Sequence, residues 1–211
     1  MKRALGLAAS AALGYAIGSL PSGVVVGQLS RGIDVRDYGS HAMGMANVLR
    51  TAGRGPAAVT LALDIGKGAL ATRTGEAICG RAGGAAAGLA AVVGHSWPVF
   101  AGFRGGKSSA TLFGAAGVLT PPVAGVSLVA GATALAITRK TSLLSLSGSA
   151  AGGLAALVLG LRRRDLPGLA LALPGVAVVI FRHRENIDRL IRGVEPAVGD
   201  PEKTLSPDPE P

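Results

Sequence analysis

Five long windows without a single Lys, Arg, Asp or Glu constrain this chain more than any other feature: residues 4–30, 82–103, 108–138, 141–161 and 166–181. A bilayer's hydrocarbon core takes about 20 mostly apolar residues per helix, and several windows meet that length. Strands of a membrane barrel would alternate apolar and polar over about ten residues, and these segments do not. Charged residues make up only 16% of the 211, against about 25% in an ordinary soluble domain. The apolar content also argues against a chain that is disordered throughout. The expected fold class is therefore all-α, a polytopic membrane protein.

The charge balance is basic, 21 Lys+Arg against 12 Asp+Glu for a net +9. Aromatic residues are only 3%, too few for base-stacking platforms, so no nucleic acid partner is expected. A single cysteine, Cys79, excludes an internal disulfide and a Cys-based metal cage. The apolar run behind Met1-Lys2-Arg3 is longer than the 7–15 residues of a signal peptide's core, and more spans follow. It is read as a first span that stays in place.

Parity organises the spans. Helices are expected at about 5–29, 55–72 and 83–100. The window 108–138 would measure about 46 Å as one helix, at 1.5 Å per residue, against a core of roughly 30 Å. Pro121-Pro122 divides it, giving a hairpin of 109–119 and 123–138, followed by 143–161 and 166–181. Seven transmembrane helices then bring every polar block to one side. The cations of those blocks outnumber those opposite, which places that side in the cytoplasm; Arg162–Arg164 counts against it. Residues 1–193 form the membrane domain, and the Pro-rich acidic stretch 194–211 is expected to be a disordered tail.

Four polar blocks hold the chemistry. In GSHAMGMANVLRTAG, residues 39–53, Gly39 and Gly44 permit close backbone approach to a ligand, and Ser40 with Arg50 can cradle an anion. Arginines facing lipid phosphates are the plainer reading of this loop. Asp64 and Lys67 are i,i+3 inside a span, either as a structural ion pair or at the border of a site. FRGGKSS, residues 103–109, lacks the spacing of a nucleotide-binding loop, yet a lysine after two glycines at a helix start suits a phosphate. His95 ahead of it reads first as a packed histidine, with membership of the site as the alternative. In RHRENIDRL, residues 182–190, His183 and Asn186 share a helical face beside Arg184. His183 suits a general base or a phosphate ligand, and Asn186 a hydrogen bond to an oxygen. Ser142 and Ser145 of RKTSLLS add hydroxyls on the same side.

The order YAIGSLPSG, GSHAMGMANVLRTAG, LDIGKG, GHSWPVF with FRGGKS, RKTSLLS and RHRENI resembles the bacterial acyl-phosphate:glycerol-3-phosphate acyltransferases from about Tyr15 to Gly193. The resemblance implies a seven-helix enzyme of the bacterial inner membrane with a cytoplasm-facing polar groove. It would move a fatty acyl group from acyl phosphate to the 1-position of sn-glycerol 3-phosphate, giving lysophosphatidate and phosphate without a metal or cofactor. By position, the family's catalytic or binding residues fall on Ser40, Asn47, Arg50, Lys107, Ser142, Ser145, His183 and Asn186, and Gly44 and Arg184 are expected beside them. The family's first block usually reads GSGNIGATN, so His41 stands for a glycine, Ala42 for Asn and Met45-Ala46 for Ala-Thr. Its turn usually reads GGKG, and Ser108 stands for the last glycine. Two alternatives are an impaired homologue that binds anionic lipid and a small organic-phosphate transporter, the latter without visible inverted repeats.

Overall fold

The structure, a computed structural model, describes residues 1–199 and is built from nine α-helices among them. The first expected span is broken in two. Helix α1, Lys2–Gly18, stops before Pro21, and α2, Ser22–Arg31, restarts behind it. Proline lacks the N–H that would continue the ladder. The carbonyl of Leu20 at this break accepts both the Ser22 N–H and the ammonium of Lys67, each at 3.0 Å. After a loop and the short α3, Met45–Thr51, the chain enters α4, Arg54–Ser96. The expected helices 55–72 and 83–100 are the two arms of α4, joined by a reversal at Cys79 (φ −142°) and Gly80 (φ +61°). The arms lie so close that a Cβ on Gly75 would meet the Gly83 carbonyl oxygen at 2.3 Å.

The remaining elements are α5, Ser109–Leu119; α6, Pro121–Thr138; α7, Thr141–Arg163; α8, Leu166–Arg182; and α9, Arg184–Ile191. Pro121-Pro122 open α6 as expected, where a proline costs no hydrogen bond. Among the described residues, four helical stretches are long and apolar enough to cross a membrane: Lys2–Arg31, Arg54–Ala101, Pro121–Thr138 and Thr141–Arg163. A fifth is added if α8 and α9, bent by 58°, count as one span. This is fewer than the seven expected, because the two arms of α4 count as one stretch and α5 is short.

Small residues set the packing. A Cβ on Gly14 or Gly18 of α1 would sit 2.2 Å from the carbonyl oxygen of Ala87 or Ala91 on the second arm of α4. Gly114 of α5 approaches the Ile65 carbonyl on the first arm to a Cβ distance of 2.0 Å. Between apolar helices in lipid there is little hydrophobic drive, so close backbone contact supplies the attraction. Leu119, Leu171, Val92 and Val179, all at most 2% exposed, fill the space between α4, α5 and α8. The hairpin of α6 and α7 packs on itself and reaches the rest of the bundle through α8 and the α5–α6 joint.

Residues 194–199, assigned from composition to the disordered tail, are folded back. Val198 exchanges backbone and side-chain bonds with Arg139, and Glu195 is buried. Residues 200–211 of the expected tail lie outside the described residues. The seam predicts that Gly14→Val and Gly18→Val each cost about 1–3 kcal/mol. Melting in detergent micelles checks this, with Gly66→Ala, whose Cβ would meet nothing within 4 Å, expected to show no loss.

Candidate functional site

The turn between α4 and α5 bears the lysine, and backbone and side-chain contacts hold it. The Gly106 N–H donates to the His95 carbonyl at 3.0 Å. Gly106 rests directly on the His95 ring, where a Cβ would overlap Nε2 at 2.1 Å, so only glycine fits. From the other side Arg182 donates to the carbonyls of Gly106 (3.0 Å) and Gly105 (3.3 Å). Its guanidinium lies 5.6 Å from the centre of the Trp97 ring. The turn is thus clamped between an imidazole and a guanidinium, and Lys107 has little freedom to move.

Lys107 donates to Oδ1 of Asn186 in the first turn of α9. Asn186 donates in turn from Nδ2 to Glu195 at 2.7 Å, and the other carboxylate oxygen of Glu195 accepts Arg189 at 2.7 Å. Because Glu195 can only accept, it fixes which end of the Asn186 amide faces the lysine. Burial, reinforced by the charge of Arg189, pushes the Lys107 ammonium down to about 8, with Glu195 and Glu185 pulling the other way. His183, at the turn between α8 and α9, is 3% exposed and donates from Nδ1 to the Val179 carbonyl at 2.8 Å. Burial above all pushes its pKa down to about 4, so the ring is neutral and Nε2 is an acceptor.

Every expected site residue except Arg184 lines one cavity of about 290 Å³. Ser40, Gly44, Asn47 and Arg50 come from the loop ahead of α3 and from α3 itself, Ser142 and Ser145 from the start of α7. The Ser142 hydroxyl is buried beside the Glu195 carboxylate, whose charged form it favours. Gly44 faces open space, where a Cβ would meet nothing within 4 Å. Asn47 lines the cavity and is also bonded within its own loop. Its Nδ2 donates to the carbonyls of Val35 (2.6 Å) and Tyr38 (3.1 Å), and its Oδ1 accepts the Ser40 N–H at 2.9 Å. Those bonds shape the loop that presents Ser40, so its amide is committed to the fold. Arg184 lies outside the cavity, beside Glu185 at 3.6 Å and the Phe181 ring at 5.0 Å.

The Asp64–Lys67 pair is both an ion pair, at 3.0 Å, and a border of the site. Asp64 and His95 line the cavity and lie 3.4 Å apart, while Lys67 reaches back to the break between α1 and α2. From this polar end the cavity continues between α5, α6, α7 and α8 as an apolar arm. No cluster of metal-ligating side chains is present among the described residues. Sequence reasoning missed Glu195, Arg189 and Arg182 as parts of the site. The only local signal for Glu195 was Gly193 two residues before it, whose φ of +74° turns the chain back.

Two departures from the usual family pattern fall on left-handed backbone. His41 has φ +53° and Ser108 φ +62°, positions that glycine adopts without strain. Ser108 is 1% exposed, and its hydroxyl bonds the Val92 carbonyl (2.7 Å) and Ser96 (2.6 Å). His41 is exposed, with Nδ1 3.0 Å from the Arg36 carbonyl.

A family profile described as Glycerol-3-phosphate acyltransferase matches residues 8–193. A glycerol-3-phosphate acyltransferase of Symbiobacterium thermophilum is 47% identical, covering 92% of this chain and 95% of its own length. One of Gloeobacter violaceus is 42% identical, covering 90% and 94%. Among solved structures, the chain is similar to PlsY (YgiH), an integral membrane glycerol 3-phosphate acyltransferase, in its glycerol 3-phosphate form, at 33% identity and a TM-score of 0.85. That match covers 92% of this chain and 96% of the other.

The two left-handed residues predict opposite responses to one substitution. Ser108→Gly removes two buried hydrogen bonds, together about 1–3 kcal/mol, against roughly 1 kcal/mol of relieved left-handed strain, and is expected to destabilise by up to about 2 kcal/mol. His41→Gly relieves strain of about 1 kcal/mol at an exposed site and is expected to be neutral or stabilising. Melting temperatures of the two purified variants decide it.

Proposed function

The chain belongs to the glycerol-3-phosphate acyltransferase family, and from that premise we propose that it moves a fatty acyl group from an acyl phosphate to the 1-hydroxyl of sn-glycerol 3-phosphate. One observation carries this reading. A single cavity has Lys107 and Arg50 at one end and an apolar arm at the other, the outline of a phosphate joined to a hydrocarbon chain. An acyl phosphate brings its own leaving group, so the protein's task is to hold two phosphates and align a hydroxyl with a carbonyl.

Lys107 and Arg50 neutralise phosphate charge, Ser40, Ser142 and Ser145 donate hydrogen bonds, and Asn186 positions Lys107. The glycerol oxygen attacks the acyl carbonyl carbon, the bond from that carbon to the phosphate oxygen breaks, and the hydroxyl proton leaves with the phosphate. A histidine held near pKa 4 is a weak base at neutral pH, whereas a phosphate's second pKa is about 6. His183 therefore orients the hydroxyl through Nε2. The products are lysophosphatidate and inorganic phosphate.

Seven crossings accommodate the chain: α1 with α2, the two arms of α4, α5, α6, α7 and α8. The polar end of the cavity faces the cytoplasm at the bacterial inner membrane. The cations of the loops around the site support this orientation, and Arg162–Arg164 at the far end of α7 stand against it. The lipid-binding and transporter alternatives have no observation that favours them.

Arg50→Ala and Lys107→Ala should each lower lysophosphatidate formation from palmitoyl phosphate and labelled glycerol 3-phosphate by at least about 10²-fold in folded protein. Retained turnover in both would refute the phosphate site. His183→Gln, which keeps an acceptor near the Nε2 position, should stay within about tenfold of wild type, whereas removal of a true general base costs roughly 10²–10⁴-fold. Since Lys107 is cationic below about pH 8 and neutral above it, the KM for glycerol 3-phosphate should rise once pH passes about 8. A KM that stays flat from pH 7 to 10 would contradict the lysine's role.

A further inference from the structure

We propose that a three-residue wall, Val123, Ala156 and Ala172, terminates the apolar arm and sets the length of the acyl group the protein transfers. The inference rests on the acyl-transfer reading above and adds to it a determinant of substrate length.

The wall is visible from both sides. Val123 (5% exposed), Ala156 (3%) and Ala172 (4%) pack together as a buried cluster from α6, α7 and α8. Val123 and Ala172 line the deep end of the arm, together with Gly152 and Val176. Behind the wall lies a second cavity of about 230 Å³, which opens at the opposite end of the bundle. Val123 and Ala156 line that one too, and Val123 is the one residue that both cavities share. Its position follows from the sequence: Pro121-Pro122 start α6 at the α5–α6 joint, which brings Val123 into the first turn against α7 and α8.

The arm has the depth of the occupant we assign. On α7 the lining runs from Ser142 at the polar end to Gly152 at the wall, ten residues, or about 15 Å at 1.5 Å per residue. That is half of a roughly 30 Å hydrocarbon core, the depth of one leaflet. A chain matched to the membrane's own lipids fills the arm and brings its terminal methyl to Val123. Further extension is blocked by side chains that are themselves packed. Beyond them the second cavity offers apolar Leu119 and Leu159, but also the Arg81–Asp165 ion pair at 2.6 Å, a poor host for a methyl group. Thinning the wall joins the two spaces and lengthens the arm, and thickening it shortens the arm.

The test measures kcat/KM for a series of saturated acyl phosphates, from dodecanoyl to eicosanoyl, with wild type and two variants, Val123→Ala and Ala172→Leu. A methylene more or less in an apolar pocket changes kcat/KM roughly 10–200-fold. The ratio of eicosanoyl to dodecanoyl transfer should therefore rise about tenfold in Val123→Ala and fall about tenfold in Ala172→Leu. Val123→Ala removes bulk without overpacking, so one arm of the test survives if the leucine variant fails to fold. Turnover with an unchanged length profile in folded Val123→Ala would overturn the wall, because the chain would then leave sideways into lipid. Absence of turnover with every donor in folded wild type would instead overturn the acyl-transfer reading on which the wall rests.

Discussion

A lysine ammonium placed among apolar helices needs a partner, and the way Lys107 is partnered governs the rest of the site. A carboxylate in direct contact would settle the cation most strongly, but it would also cancel the charge that a phosphate must meet. Here a neutral amide stands between them: Lys107 donates to Asn186, and Asn186 donates to Glu195. The chain of bonds fixes the orientation of the lysine while leaving its charge largely uncompensated, and burial holds its pKa at about 8. The remaining elements keep this arrangement in register. The clamp of His95 and Arg182 around Gly105 and Gly106 sets the lysine's backbone, and the return of the chain after α9 brings Glu195 beneath the amide.

The bundle leaves room for a substrate because its helices are held by different contacts. Where α1 meets the second arm of α4, and where α5 crosses the first, glycines bring backbones into contact and leave no gap. The hairpin of α6 and α7 has its own seam, at Gly131 and Gly148, and joins the bundle through α8. Space therefore opens between α5 and the hairpin, mostly apolar along its length apart from Ser127 and Ser149, and most polar where the turns converge. Asp64, Lys67 and His95 sit under that polar end and connect the α1–α2 break to the lysine turn.

Much of this was legible in the sequence where one physical rule dominated. Windows without charge marked every expected helix except 55–72, which holds Asp64 and Lys67, and Pro121-Pro122 marked the division of the long one. The blocks around Ser40, Lys107, Ser142 and His183 converge on one cavity, as parity required. The misses occurred where local composition and tertiary context disagree. The break at Pro21 was hidden inside the charge-free window of residues 4–30. Asn47 was expected at the site from the resemblance, and the sequence did not show that the carbonyls of Val35 and Tyr38 also accept from its amide. Arg184 was expected beside the site residues, and it lies outside the cavity against Glu185 and the Phe181 ring. Glu195 was absorbed into an acidic Pro-rich stretch, and its bonds to Asn186 and Arg189 separate it from that tail. Spacing reports which residues share a face; it does not report which of them the backbone has already claimed.

The most direct measurement is a donor competition. Purified protein receives glycerol 3-phosphate with equimolar palmitoyl phosphate and palmitoyl-CoA bearing distinguishable acyl labels. The site described here, built around a lysine whose charge is left for phosphate, predicts lysophosphatidate with the label of the phosphate donor alone and one inorganic phosphate released per product. Label arriving from the thioester, or phosphate released without acyl transfer, would contradict it.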